Sequence, residues 1–160
     1  MSFHIRPARP ADGPSVVRLV RGLAEFEKLA GPDETAAARL IEHAFGARQR
    51  FDVLVAEVDA RVQAYALFFE GYSTFRAAPT LWLEDLFVDP AFRGRGIGSA
   101  LMHAVAEVAV ARGCARFEWC VLDWNEGAQR FYESLGATLL GEWLVCRVEG
   151  AALAKLGTRA

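Results

Sequence analysis

Gly94, Gly96 and Gly98 stand on alternate positions in the run Arg93-Gly94-Arg95-Gly96-Ile97-Gly98-Ser99. Apolar residues then recur at Ile97, Leu101, Val105 and Val108, the spacing of one helix face. Glycines that open a helix expose backbone N–H groups at the positive end of its dipole, so the chemistry of this run is anion binding, most often of phosphate. A Walker loop is excluded, because Gly98-Ser99 has no lysine between glycine and hydroxyl. A dinucleotide fingerprint fits poorly, since Ser99 stands where its last glycine belongs and no ribose-binding acid clearly follows. Immediately upstream, Leu86, Phe87 and Val88 suit a buried strand that Pro90 ends, and two adjacent carboxylates, Glu84 and Asp85, precede them.

The elements that must hold these residues follow from periodicity and turn chemistry. Phe3 to Arg6 reads as a first strand, and Asp12 as the N-cap of a helix whose stripe is Val16, Leu19, Val20, Leu23 and Phe26. Glu25 and Glu27 end that helix against its dipole. They are either a solvated face or an acidic wall for a cationic substrate. Gly31-Pro32-Asp33 breaks the chain before a second helix, Glu34 to Phe45, stopped by Gly46. Residues 51–58 and 62–69 predict a hairpin about Asp59-Ala60, residues 71–79 a loop, and residues 81–88 a central strand. The helix from Ile97 ends at Gly113, and Phe117 to Val121 is a fifth strand. Asn125 caps a helix to Ser134 or Leu135, closed by Gly136. Leu139-Leu140 and Trp143 to Val148 predict a last pair of strands, and Ala151 to Leu156 a terminal helical turn or two. Hairpins followed by a strand–helix–strand crossover predict an α/β fold with a mixed sheet covered by helices.

The length of 160 residues predicts one domain, 1–160, and 53% hydrophobic residues supply a sizeable core. A net charge of −2 makes no electrostatic case for nucleic acid. No apolar run approaches the ~18 residues of a membrane span, and the N-terminus lacks a signal-peptide core. Cys114, Cys120 and Cys146 form no CxxC and read as reduced core residues of a cytoplasmic protein. His4, His43 and His103 form no ligand motif, so no metal is expected.

Arg93, Gly96 and Gly98 match Arg/Gln-x-x-Gly-x-Gly/Ala, which resembles the coenzyme A pyrophosphate loop of the GCN5-related N-acetyltransferases (GNAT). A second element, Asn125-Glu126-Gly127-Ala128 through Tyr132 to Gly136-Ala137, resembles that family's Asn-x-x-Ala-x-x-x-Tyr-x-x-x-Gly segment. Leu83 to Val88, Trp124-Asn125-Glu126, Gly22 to Glu27, Ser73-Thr74-Phe75, Glu142-Trp143 and Arg147 are similar to the diamine (spermidine/spermine and thialysine) acetyltransferase branch. Gly127 stands where that branch commonly has proline, and Gln129 where an apolar residue is frequent; glycine there loosens the first helical turn.

The resemblance implies a six- to seven-stranded, mostly antiparallel sheet with helices on both faces and splayed central strands. It implies acetyl-CoA as cosubstrate, held by Leu86, Phe87, Val88, Arg93, Gly94, Arg95, Gly96, Ile97, Gly98, Ser99, Asn125 and Tyr132. It implies direct transfer of the acetyl group to a primary amine of a small cationic substrate, without a covalent enzyme intermediate. An amine of pKa near ~10.4 is only about 0.1% free base at pH 7.4, so a proton acceptor is needed. Glu84 leads and Asp85 stands beside it; one of them could instead be a buried structural acid. Tyr132 would protonate the leaving thiolate, its alternative being a core aromatic beside Phe131. Phe26, Glu27, Trp82, Glu84 and Asp85 would line the substrate, with Phe75 and Glu25 as further candidates; each aromatic could equally be plain core. The branch implies a homodimer, and neither nucleic acid nor membrane as partner. The competing readings are a protein or peptide N-acetyltransferase and a non-catalytic acyl-CoA-binding module.

Overall fold

Alternation of apolar side chains builds a five-stranded sheet, in the order β1-β2-β3-β4-β5, in the computed structural model, which describes residues 2–158. β1 (Phe3–Pro7), β2 (Asp52–Val58), β3 (Arg61–Ser73) and β4 (Ala78–Val88) form an antiparallel meander, and β5 (Arg116–Trp119) lies parallel to β4. Between β2 and β3, Asp59 and Ala60 both adopt positive φ, 48° and 60°, as a two-residue hairpin turn requires. β3 and β4 run further than expected. Their ladder continues through Gly71↔Thr80 to Ser73↔Ala78, so the loop predicted over 71–79 shrinks to residues 74–77. Ser73 is buried, and its hydroxyl accepts the Arg76 N–H at 3.3 Å, which closes that turn.

α1 (Gly13–Phe26) and α2 (Glu34–Phe45) follow the boundaries that the glycines, Pro32 and Asp33 signal. Asp33 caps α2 by accepting the Ala36 N–H at 2.8 Å. Asp12 sits before α1 but does not bond into it. Its carboxylate takes Arg6 at 2.6 and 3.0 Å and the Arg9 N–H at 2.7 Å, while Arg6 also reaches Glu57 at 2.6 Å. The Arg6 bond holds the Asp12 carboxyl below its usual range. A half-buried arginine offers more than one helix N–H could, so the cap is forgone and β1, β2 and the turn into α1 are tied together.

Val16 and Leu19 of α1 pack with Val53, Val55, Val62, Tyr65, Leu67 and Phe87 on one face of the sheet. α3 (Ile97–Ala111), which buries Ile97, Leu101, Met102, Val105 and Ala109, connects β4 to β5 and packs against the sheet. Burial of each of the larger of these side chains contributes roughly 1.5–3 kcal/mol.

The described residues contain five strands, not six or seven. Residues 139–148 form no strand, and Leu139, Leu140, Trp143, Leu144, Val145 and Val148 are exposed. Their composition suits a strand, but a strand also needs a ladder, and among the described residues none is paired with them. β5 likewise ends at Trp119 rather than Val121. α4 (Glu126–Ser134) and α5 (Gly150–Gly157) occur where expected. The chain divides into two compact units, Met1–Cys120 and Val121–Ala160. Only Cys114 approaches the core role expected of the cysteines; burial raises its thiol, whereas Cys120 past the end of β5 and Cys146 in the strandless segment are exposed. No helix among the described residues is long and apolar enough to cross a membrane.

Candidate active site

Glu84 is the hinge of the first unit. β3 and β4 pair Leu67↔Asp85 and then Phe68↔Leu83, so Glu84 is an extra residue bulged out of the ladder. Side chains alternate along a strand, and one inserted residue switches the faces that follow. Leu81 and Leu83 therefore share a face with Phe68, whereas Asp85 and Phe87 share the opposite face with Tyr65 and Leu67, beneath α1. Beyond the bulge β4 also loses its other neighbour, because pairing with β5 covers only Thr80↔Arg116 to Leu83↔Trp119. The side of β4 away from β3 thus has no ladder partner from residue 84 to Val88 among the described residues. That is the splay the resemblance implied, and it leaves the backbone of Leu86, Phe87 and Val88 at an open edge.

The bulge separates the two adjacent carboxylates. Glu84 is exposed and its Oε2 accepts the Trp82 indole N–H at 3.0 Å. Asp85 is half-buried and its Oδ2 accepts the Tyr65 hydroxyl at 3.0 Å. Burial pushes the Asp85 carboxyl up to about 6, with the Glu84 and Glu27 carboxylates adding to the rise and the Tyr65 bond opposing it. Glu27, directly after α1, is half-buried and acts on this pair, whereas Glu25 is exposed. Phe75 is 99% exposed in the β3–β4 turn, which removes it from any packed wall.

Arg93 lies across the rings of Phe26 and Phe87, 5.1 and 5.3 Å from their centroids, and its Nε donates to the Val88 carbonyl at 2.9 Å. A cation over two aromatic faces is a firm anchor. It fixes the start of the glycine run to the end of β4 and to α1. Gly22 makes that approach possible, because a Cβ there would stand 3.1 Å from the Phe87 ring. Asp89 adds a second tether, with Arg18 at 3.0 Å and the Ala91 N–H at 3.1 Å. Arg95 turns back to the Ala91 carbonyl at 3.1 Å and packs over Phe92. Gly94 and Gly96 have φ of 72° and 78°, the left-handed region, and a Cβ on either would meet no atom within 4 Å. The α3 ladder begins with the Ala100 N–H bonding Gly96, so the N–H groups of Ile97, Gly98 and Ser99 precede it. His103 approaches the Ser99 carbonyl at 2.7 Å and is structural.

Within the second unit, Asn125 caps α4 by accepting the Ala128 N–H at 3.2 Å. Gln129 donates to the carbonyls of Leu122 and Asp123 at 3.1 and 2.9 Å. That stitch holds the turn that Gly127 was expected to loosen, and it accounts for a polar residue at this position. Tyr132 is buried, its ring 5.2 Å from that of Phe131.

The chain matches the Acetyltransferase (GNAT) family over residues 19–137. It belongs to that family. A thialysine N-epsilon-acetyltransferase of Mus musculus is 40% identical, with 99% of each chain covered. An L-ornithine N5-acetyltransferase of Arabidopsis thaliana is 43% identical over 59% of this chain and 42% of its own. Among solved structures, an integron cassette protein from the mobile metagenome of V. cholerae superposes with a TM-score of 0.82 at 26% identity, covering 99% of both chains.

GNAT acetyltransferases use acetyl-CoA, and the first unit of this acetyltransferase fits that group. Open space where Gly94 and Gly96 lack a Cβ, a helix N-terminus, and an unpaired strand edge suit a pyrophosphate followed by an amide-bearing arm. Tyr65 is the residue of this site that periodicity did not disclose. The available signal was a phenol among Val62, Ala64, Ala66 and Leu67, since a buried tyrosine hydroxyl needs a partner.

Proposed function

We propose that this acetyltransferase transfers acetyl from acetyl-CoA to a primary amine of a small cationic substrate: a diamine, a polyamine or a lysine analogue such as thialysine. The observation that carries the reading is the acidic cluster of Glu27, Glu84 and Asp85, which a substrate with a second positive charge would neutralise. When bound, acetyl-CoA supplies the thioester-activated acetyl group. The N–H groups from Gly94 to Ser99 hold its pyrophosphate, and the open edge at Leu86, Phe87 and Val88 orients the arm beyond it. Asn125 binds near the same arm. Glu27, with Phe26 and Trp82, receives the distal charge and the methylene chain. Glu84 or Asp85 takes the proton of the acceptor ammonium, the amine attacks directly, and Tyr132 Oη gives a proton to the departing sulfur. The three cysteines, unpaired, suit a reducing compartment, and we place the protein in the cytoplasm. Exposed apolar residues from Leu139 to Leu156 support a homodimer.

The test is release of free thiol from acetyl-CoA in the presence of thialysine, ornithine, spermidine, putrescine, lysine or a peptide. A small diamine-like acceptor should exceed the peptide by at least about tenfold in kcat/KM, or about 1.4 kcal/mol. Tyr132→Phe should lower kcat by roughly 100–10,000-fold with a much smaller change in coenzyme A affinity. Preference for the peptide would favour protein acetylation, and coenzyme A binding without turnover would leave only an acyl-CoA-binding module.

A further inference from the structure

The glycine run and the last turn of α1 meet at a single guanidinium. Gly94 and Gly96 have open space where a Cβ would stand, so the run packs on nothing at those points and its aim depends on what ties it to the sheet and to α1. Two ties reach α1. The Arg18–Asp89 pair at 3.0 Å is half-exposed at the arginine, and pairs of that kind contribute little. The firmer tie is Arg93, with one face toward Phe26 at 5.1 Å, the Phe87 ring at 5.3 Å, and Nε on the Val88 carbonyl. Phe87 is 6% exposed within the packed cluster and cannot yield. Phe26 is 39% exposed at the very end of α1, so it is the partner that can move.

The end of α1 has two arrangements to move between. The Leu29 N–H bonds the Ala24 carbonyl at 2.8 Å and the Lys28 N–H bonds the Glu25 carbonyl at 3.1 Å, which closes the helix around Phe26 and Glu27. The closure places Lys28 at φ 59°, in the left-handed region where glycine is usual. A side chain there costs strain that glycine would not, and helix ends fray, so the closed turn lies near a frayed one in energy. Phe26 and Glu27 are adjacent in that turn and open or close together. Glu27 acts on the carboxylates of the acceptor side, whereas Phe26 carries the arginine that begins the coenzyme loop.

We propose that Phe26 is a positioning residue for the coenzyme as well as a wall for the amine, and that its contact with Arg93 couples the two substrates so that each strengthens binding of the other. This rests on the acetyltransfer reading above. An ammonium drawn to Glu27 favours the closed turn over the frayed one. The closed turn presents the Phe26 ring to Arg93, and Arg93 then aims the N–H groups from Gly94 to Ser99. Coenzyme acts in the reverse direction through the same contact and by the same factor, because coupling between two binding equilibria is reciprocal.

The test is calorimetry of the full chain with coenzyme A, which carries no acetyl group and so does not turn over. Without any amine, Phe26→Leu keeps the apolar stripe but removes the π face, and it should weaken coenzyme A about three- to fivefold. Phe26→Tyr keeps a ring and should bind as wild type does. Arg93→Met should weaken coenzyme A, and adding Phe26→Leu to it should cost nothing further, as two residues acting through one contact require. The amine arm uses whichever of thialysine, ornithine and spermidine is acetylated fastest. At saturation it should tighten coenzyme A about threefold or more in wild type and not in Phe26→Leu, with thermal melts showing that each variant is folded. The inference is overturned by unchanged coenzyme A affinity in Phe26→Leu, by losses that add in the double variant, or by a wild type whose coenzyme A affinity ignores the amine. A wild type that binds coenzyme A and acetylates none of these amines would instead overturn the acetyltransfer reading, and the measurements made without amine would still decide the Phe26–Arg93 contact.

Discussion

Burial makes the Asp85 carboxyl harder to ionise, and Glu84 on its own strand and Glu27 beyond α1 add to the rise. The folded state binds this proton near pH 6, whereas a free aspartate binds it only near ~3.9. Between those values the native state carries more protons than the unfolded one, so stability falls as pH rises and levels off above about 6. The loss is on the order of 3 kcal/mol for a shift of this size. Asp85→Asn keeps an acceptor for Tyr65 and removes the charge. The variant should lose the decline between pH 4 and 6 and, at pH 7.5, melt a few degrees above wild type. Equilibrium unfolding across that pH range is the check. A variant melting below wild type at pH 7.5 would mean that the ionised carboxylate is stabilised by something other than these neighbours. Asp12 runs the other way, since Arg6 lowers its carboxyl, and its contribution is present at neutral pH and lost on acidification.

At the scale of elements, the glycine run shows what backbone conformation contributes. Gly96 ends the turn at φ 78°, immediately before α3, and a Cβ added there would find no atom within 4 Å. Gly96→Ala therefore costs only backbone strain, about 1–2 kcal/mol, with no clash. The relaxed loop would re-aim the N–H groups of Ile97, Gly98 and Ser99. Coenzyme A affinity by calorimetry should fall by about tenfold while the melting temperature drops only a few degrees. Unchanged affinity would detach the run from the pyrophosphate. The elements here were legible because they depend on local chemistry: the break at Gly31-Pro32-Asp33, the Asn125 cap and the helix from Ile97 all needed only neighbours in sequence. What escaped depends on partners far along the chain. Asp12 chose Arg6 over its helix, and the length of the β3–β4 ladder is a property of two strands together. The splay of the central strands was implied by resemblance, yet the bulge at Glu84 and its effect on Asp85 required the register opposite Leu67. Tyr65 was illegible for the same reason, since its partner lies 20 residues away.

At the scale of the whole molecule, the residues after α4 present an imbalance that one chain leaves standing. Trp143, Leu144, Val145, Leu153 and Leu156 are 74, 86, 72, 56 and 74% exposed. Soluble monomers rarely display so much contiguous apolar chain, and residues 139–148 have strand composition without a strand's hydrogen bonds. A second copy of the chain would supply apolar cover and unpaired backbone in equal measure, because a two-fold interface offers the same patch on both sides. Sedimentation of the full chain at micromolar concentration should therefore report a dimer. Leu144→Asp with Val145→Asp introduces two charges into that apolar patch, and it should shift the species to monomer, weakening association by roughly 3 kcal/mol or more. Asp85 and Tyr65 lie in the first unit, so the midpoint of the Asp85 carboxyl should survive that shift. Loss of the midpoint together with the dimer would mean that the partner chain helps to enclose the carboxylate, and a monomeric wild type would mean that the apolar segment has another use.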